Sequence, residues 1–168
     1  MDIKAKEKLL VLRFSTYKDF DFIEEHRQII NNNGAVWMLK LGKPVPDRTL
    51  REILLGSAGL ILKAPKSIGG KYYYCQMLDA QNMKPNNEMK FPEYYKKLLE
   101  DMFWLSMDGT WIKVNNFIEL EKEVIPSFKL MSNDRPLDDV LSQTRTTMLY
   151  AYSERTIEIN GEFDGGTV

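Results

Sequence analysis

The chain carries one histidine, His26, and one cysteine, Cys75, and these two residues bound the chemistry that can be written for it. A Cys/His zinc set needs three or four such ligands and a disulfide needs two thiols, so neither can be assembled. A serine or cysteine nucleophile would have to recruit His26 as its base. His26, however, falls with Phe22, Ile29 and Ile30 on one apolar stripe set by i, i+3, i+4 spacing, where an imidazole is expected to be a hydrogen-bonded core group. Cys75 follows three tyrosines in strand-like sequence; with no fixed cation beside it to favour a thiolate, it reads as a small packed side chain.

Phosphate-cradling loops are absent as well. Neither GxGxxG nor GxxxxGK[ST] occurs, and no GxSxG elbow is present, so a P-loop nucleotidase and an α/β-hydrolase are excluded. The adjacent acids Glu24-Glu25 and Asp138-Asp139 point in different directions on a helix and are expected to be solvated. No residue is assigned as a metal or cofactor ligand. If the chain were an enzyme, Asp79, Glu93 and His26 would be the proton carriers to examine.

Aromatic chemistry remains. In GAVWMLKLGK, residues 34–43, Trp37 lies in a strand-like run with Lys40 and Lys43 beyond it. Tyr72-Tyr73-Tyr74, Trp104 and Trp111 add further rings. An aromatic face stacks on a flat base at about 1–3 kcal/mol per base, and a nearby Lys or Arg can hold the phosphate. The same rings equally furnish an ordinary aromatic core, and the pattern alone leaves both readings open.

The elements that must position these residues follow from periodicity. KLLVLRFS (8–15) is a buried strand, and a helix follows it, capped by Asp19 or Asp21 and ended by Gly34 in a left-handed turn. GAVWMLKLG is a strand whose period of two sets Trp37 and Leu39 against Met38 and Lys40. PVPDRTLREILLGS is a helix begun at Pro46-Asp47 and closed near Gly56. GLILKAP and KYYYCQMLDA form a hairpin about Gly69-Gly70. FPEYYKKLLED is a short helix, and FWLSM and TWIKV pair across Asp108-Gly109, a dipeptide suited to positive backbone angles. Strands within 125–132 and 146–153 flank a helix at PLDDVLSQ.

The order is βαβα, then mainly β with short helices, so the predicted class is α+β: a strongly curved mixed sheet or small pseudo-barrel with short helices around it. With 168 residues, no repeat and no linker, one domain is expected, long enough to bury roughly 70% of the surface of its unfolded chain. Its ends, about 1–6 and 160–168, are expected to be loose. No apolar run approaches the roughly 18 residues of a membrane helix, and the start lacks a signal-peptide pattern, so a soluble, cytoplasmic protein is the expectation. The net charge of -1 argues against a surface that coats nucleic acid. The charge is uneven, with 13 Lys/Arg against 8 Asp/Glu in residues 1–75 and 10 against 16 thereafter.

Read together, VWMLKLGK, the short helix DRTLREILLG, LILKAP, the Gly-Gly turn and YYYCQMLDA resemble the PUA-like superfamily, in particular EVE-type domains, whose opening strand carries a Trp-apolar-apolar-Lys pattern. Trp37, Met38, Leu39 and Lys40 match that pattern. FPEYYKKL and TWIKVNNFIEL resemble the proline-tyrosine segment and Trp-bearing strand that close such barrels. The likeness spans roughly residues 35–152; a strand and a helix precede it, and the family's Trp-x-Gly-Val-Arg-Asn stretch has no counterpart.

The resemblance implies a non-enzymatic pseudo-barrel that binds RNA or DNA, taking a modified or flipped base into an aromatic cleft. On that expectation Trp37 is the first stacking residue, Tyr74, Trp104 or Trp111 forms the opposing wall, and Arg13, Lys40 and Lys43 contact phosphate. Two other classes stay open: a protein-interaction or regulatory module that keeps the barrel without binding nucleic acid, and an enzyme acting on a nucleotide-like substrate.

Overall fold

The computed structural model describes residues 2–83, 86–101 and 109–159. In chain order the elements are β1 (Asp2–Ile3), β2 (Leu9–Arg13), α1 (Phe22–Asn33), β3 (Val36–Lys40), α2 (Asp47–Leu55), β4 (Gly59–Lys63), β5 (Tyr72–Gln81), α3 (Tyr94–Asp101), β6 (Thr110–Val114), β7 (Ile118–Glu119), β8 (Phe128–Leu130), α4 (Leu137–Gln143), β9 (Met148–Ser153) and β10 (Ile157–Glu158). Short 3-10 turns lie at Lys66–Ile68 and Lys122–Ser127.

The class is α+β, with a large mixed sheet in the order β3-β6-β5-β4-β2-β9-β8 and β7 added on β5. Only the β2–β4 pair is parallel among these; the others are antiparallel. Among the described residues the sheet is not closed, and β3 and β8 are its edges. β5 serves two neighbourhoods: its first half pairs with β4 and its second with β6, and a register shift between Met77 and Asp79 marks the change. Such a bulge bends the strand that carries it.

Alternation along the strands divides the core. Leu10, Leu12, Leu60, Leu62, Cys75 and Met77 face α1 and α2, packing with Phe22, Ile23, Ile30, Leu50 and Ile53. Leu9, Val11, Ile61, Tyr72 and Tyr74 face the other way, against Leu137, Val140 and Leu141 of α4. A third cluster joins Trp37, Met89, Tyr94, Tyr95 and Trp111 beside the β3 edge.

Local signals operate much as their chemistry dictates. The Asp21 side chain caps α1 by accepting the Glu24 N–H at 3.1 Å, and Gly34 ends the helix at φ 82°. Gly69 and Gly70 turn the β4–β5 hairpin at φ 102° and 60°. Gly109 follows Asp108, which lies outside the described residues along with the expected strand partner FWLSM, so the expected turn lies outside them too. Gly109 itself needs space, because a Cβ there would lie 2.5 Å from the Lys40 carbonyl oxygen. Gly56 closes α2 without the left-handed conformation, at φ -94°. At the start, β1 pairs with β10 and Ile3 is buried; residues 160–168 lie outside the described set. Among the described residues no helix is long and apolar enough to cross a membrane.

Candidate functional site

An edge strand exposes alternate backbone groups, and β3 shows how these are satisfied. The Trp37 N–H donates to the Lys90 carbonyl at 2.9 Å, and the Leu39 N–H donates to Tyr95 Oη at 3.3 Å. The segment before α3, and α3 itself, therefore lie along this edge. Between α3, β3 and the ends of β2 and β4 a cleft of about 520 Å³ remains open. Leu12, Met38, Leu62 and Ile112 line it from the sheet, and Phe14, Tyr17, Phe22, Tyr94 and Tyr95 supply rings. Ser15, Thr16 and Thr147 add hydroxyls.

The aromatic wall is ordered by stacking. Phe14 and Phe22 lie 4.2 Å apart at 15°, and Phe20 and Tyr94 4.8 Å apart at 15°. Tyr17 stacks on Tyr94 at 6.1 Å, and its hydroxyl donates to Asp101, which also pairs with Lys18 at 3.5 Å. That hydrogen bond raises the Tyr17 pKa and lowers that of the Asp101 carboxyl.

Among the described residues, Lys40 and Arg13 are the charged ones that line the cleft, and both are cations. Their environments differ. Lys40 lies on the Met38 side of β3; its ammonium donates to the carbonyls of Lys43 at 2.5 Å and Leu41 at 3.3 Å, and partial burial lowers its pKa. Arg13 follows Val11 on the face that meets α4. Its Nε donates to the Thr146 carbonyl and its Nη2 to the carbonyls of Leu141 and Thr144. The guanidinium is thus a helix-end clamp at the rim of the cleft. Lys43 is exposed on the adjoining turn, and among the described residues its ammonium has no partner.

The rings singled out in the sequence fall mostly outside the cleft. Trp37 is 8% exposed and Trp111 fully buried, both in the cluster behind Tyr94 and Tyr95. Tyr74 is 2% exposed on the opposite face of the sheet, where burial pushes its phenol up to about 12. Trp104 lies outside the described residues. Tyr17, Tyr94 and Tyr95 take the place expected of the tryptophans; the Tyr-Tyr pair within FPEYYKKL was the available signal.

His26 is fully buried, and its two hydrogen bonds define its tautomer. The Phe22 carbonyl, 2.7 Å from Nδ1, can only accept, so Nδ1 carries the proton; Nε2 then accepts the Tyr95 hydroxyl at 2.5 Å. Burial depresses the imidazole pKa to about 4 and drives the Tyr95 phenol well above its usual value. Cys75 is likewise sealed, and burial raises its thiol. Asp79 is exposed at the β5 bulge, with its carboxylate on the Ala80 N–H, and Glu93 is exposed and paired with Lys96 at 3.2 Å. Neither of them, nor His26, lines the cleft. Among the described residues no group of three metal-ligating side chains occurs. No family model, curated protein or solved structure matches this chain.

Proposed function

We propose that the chain is a non-enzymatic, PUA-like nucleic-acid-binding domain that takes one base into the cleft beside β3. The observation that carries this reading is the lining: aromatic side chains over an apolar floor, with Lys40 and Arg13 the charged groups among the described lining residues and no carboxylate among them. A base needs a flat apolar partner and its phosphate needs a cation, and a cleft of about 520 Å³ lies in the usual range for small-ligand sites. Tyr17, half-buried at the rim, is the stacking residue on this proposal, with the buried Tyr94 ring stacked behind it. Trp37 and Trp111 support that wall from behind. Lys40, with Lys43 on the neighbouring turn, contacts phosphate. In the PUA-like reading, the bend where β5 passes from β4 to β6 is what curls the sheet toward a pseudo-barrel.

The test is a panel of single- and double-stranded RNA and DNA oligonucleotides with plain and modified bases, followed by fluorescence anisotropy. Saturable binding is expected, with a shallow salt dependence corresponding to about one or two phosphate contacts. Tyr17→Ala and Lys40→Gln should each weaken it by about tenfold or more while the thermal unfolding midpoint shows the fold retained. Absence of binding across the panel at low salt would retire the proposal, and turnover of a nucleotide-like compound would replace it with the enzyme reading.

A further inference from the structure

The hydrogen bonds behind the cleft run in one direction. The Leu39 N–H donates to Tyr95 Oη, the Tyr95 hydroxyl donates to His26 Nε2, and His26 Nδ1–H donates to the Phe22 carbonyl. Leu39, Tyr95 and Phe22 all line the cleft, from β3, α3 and the first turn of α1, whereas His26 lies behind all three. One imidazole therefore joins three walls that belong to different elements.

We infer that His26 is a positioning residue of this cleft: in its uncharged Nδ1–H form it orients the Tyr95 hydroxyl, and through that hydroxyl it holds the free edge of β3. A charged ring and a fully shaped cleft then exclude one another. With a second proton on Nε2, two donors would face each other across 2.5 Å. The phenol would have to turn its proton toward the Leu39 N–H, whose hydrogen bond it now accepts, toward the neighbouring Tyr94 hydroxyl, or into the cleft, and so leave its present orientation. The groups packed on the imidazole offer no compensation. Its ring neighbours are Phe22, Tyr94, Tyr95 and Phe117, of which only the two tyrosines titrate, and the charge of Glu25 on α1 acts on Tyr94. The inference concerns the cleft itself and stands whichever ligand fills it.

Native-state hydrogen exchange followed by NMR on the full chain tests it, with His26→Gln and His26→Phe as variants. Glutamine keeps an acceptor near the Nε2 position that does not titrate; phenylalanine keeps a ring and removes the acceptor. In the wild type, protection of the Leu39 amide should fall about tenfold between pH 6.5 and pH 4, while amides inside the β2–β4 ladder hold theirs. In both variants Leu39 protection should be independent of pH, high for glutamine and low for phenylalanine. Leu39 protection in His26→Phe equal to the wild type, or an acid-dependent loss in His26→Gln as steep as the wild type's, overturns the inference. Should His26→Phe fail to fold, the single imidazole resonance set decides: a neutral Nδ1–H tautomer that persists below about pH 5 is expected, and titration near the ordinary histidine value overturns it.

Discussion

His26 and Tyr95, 69 residues apart, share a hydrogen bond of 2.5 Å in which the phenol is the donor and the imidazole the acceptor. The bond ties α1 to α3, and burial keeps the histidine neutral. Because the folded-state pKa, about 4, lies below the ordinary 6.5, the unfolded chain binds the proton more readily. The resulting contribution is fully present above pH 6.5, declines as the pH falls toward 4, and amounts to about 3 kcal/mol at most. Urea denaturation at pH 7 and pH 4.5 should show this loss in the wild type, and the part due to His26 should be missing in His26→Gln.

Trp37 and Trp111 are read as structural. Truncation of either to alanine should cost about 3–5 kcal/mol, as for buried aromatics elsewhere, and should lower the denaturation midpoint without changing its slope. A Trp37→Ala protein of wild-type stability that has lost ligand binding would return the indole to the ligand-contacting surface.

Arg13 makes three hydrogen bonds to carbonyls at and beyond the end of α4. Arg13→Leu should destabilise the fold by about 2–4 kcal/mol, because charged donors leave polar acceptors unpaired, and lysine should rescue only part of this since it lacks the planar fork. At a temperature where the variant is folded, the salt dependence of nucleic-acid binding should match the wild type. A reduced slope would show that the guanidinium contacts phosphate after all.

Gly109 sits against β3, and an added methyl would meet the Lys40 carbonyl oxygen at 2.5 Å and Leu39 Cδ1 at 3.0 Å. Backbone cannot yield as a side-chain tip can. Gly109→Ala should therefore destabilise the protein by about 1–3 kcal/mol and shift the NMR signals of Leu39 and Lys40 on the cleft wall, whereas Gly56→Ala, whose nearest contacts begin at 3.4 Å, should shift neither.

The strands and helices were legible because each is written locally: the period of two in VWMLK, the Asp21 cap, the Gly34 stop. The faces of β3 were legible too, with Trp37 and Leu39 opposed to Met38 and Lys40. What periodicity cannot say is which face meets solvent. That depends on α3 arriving from 55 residues downstream to cover Trp37 while leaving Met38 and Lys40 beside an opening. The cleft was illegible for the same reason. Phe22, Leu62, Tyr94 and Ile112 are ordinary apolar positions within their own elements, and they converge only after β5 changes partner at Met77. Arg13 gave no warning, because its acceptors are main-chain carbonyls and carry no residue signature.

The arrangement around β2 sets the order in which the protein can be completed. Leu9–Arg13 lies between Gly59–Lys63 and Met148–Ser153, so this strand acquires its second neighbour only when the much later β9 has been made. Until then the run Leu9-Leu10-Val11-Leu12, buried on both faces in the finished molecule, is an open apolar edge. A nascent chain halted ahead of Met148 exposes an adhesive strand, and its partners of opportunity would be other unfinished copies or a holdase chaperone.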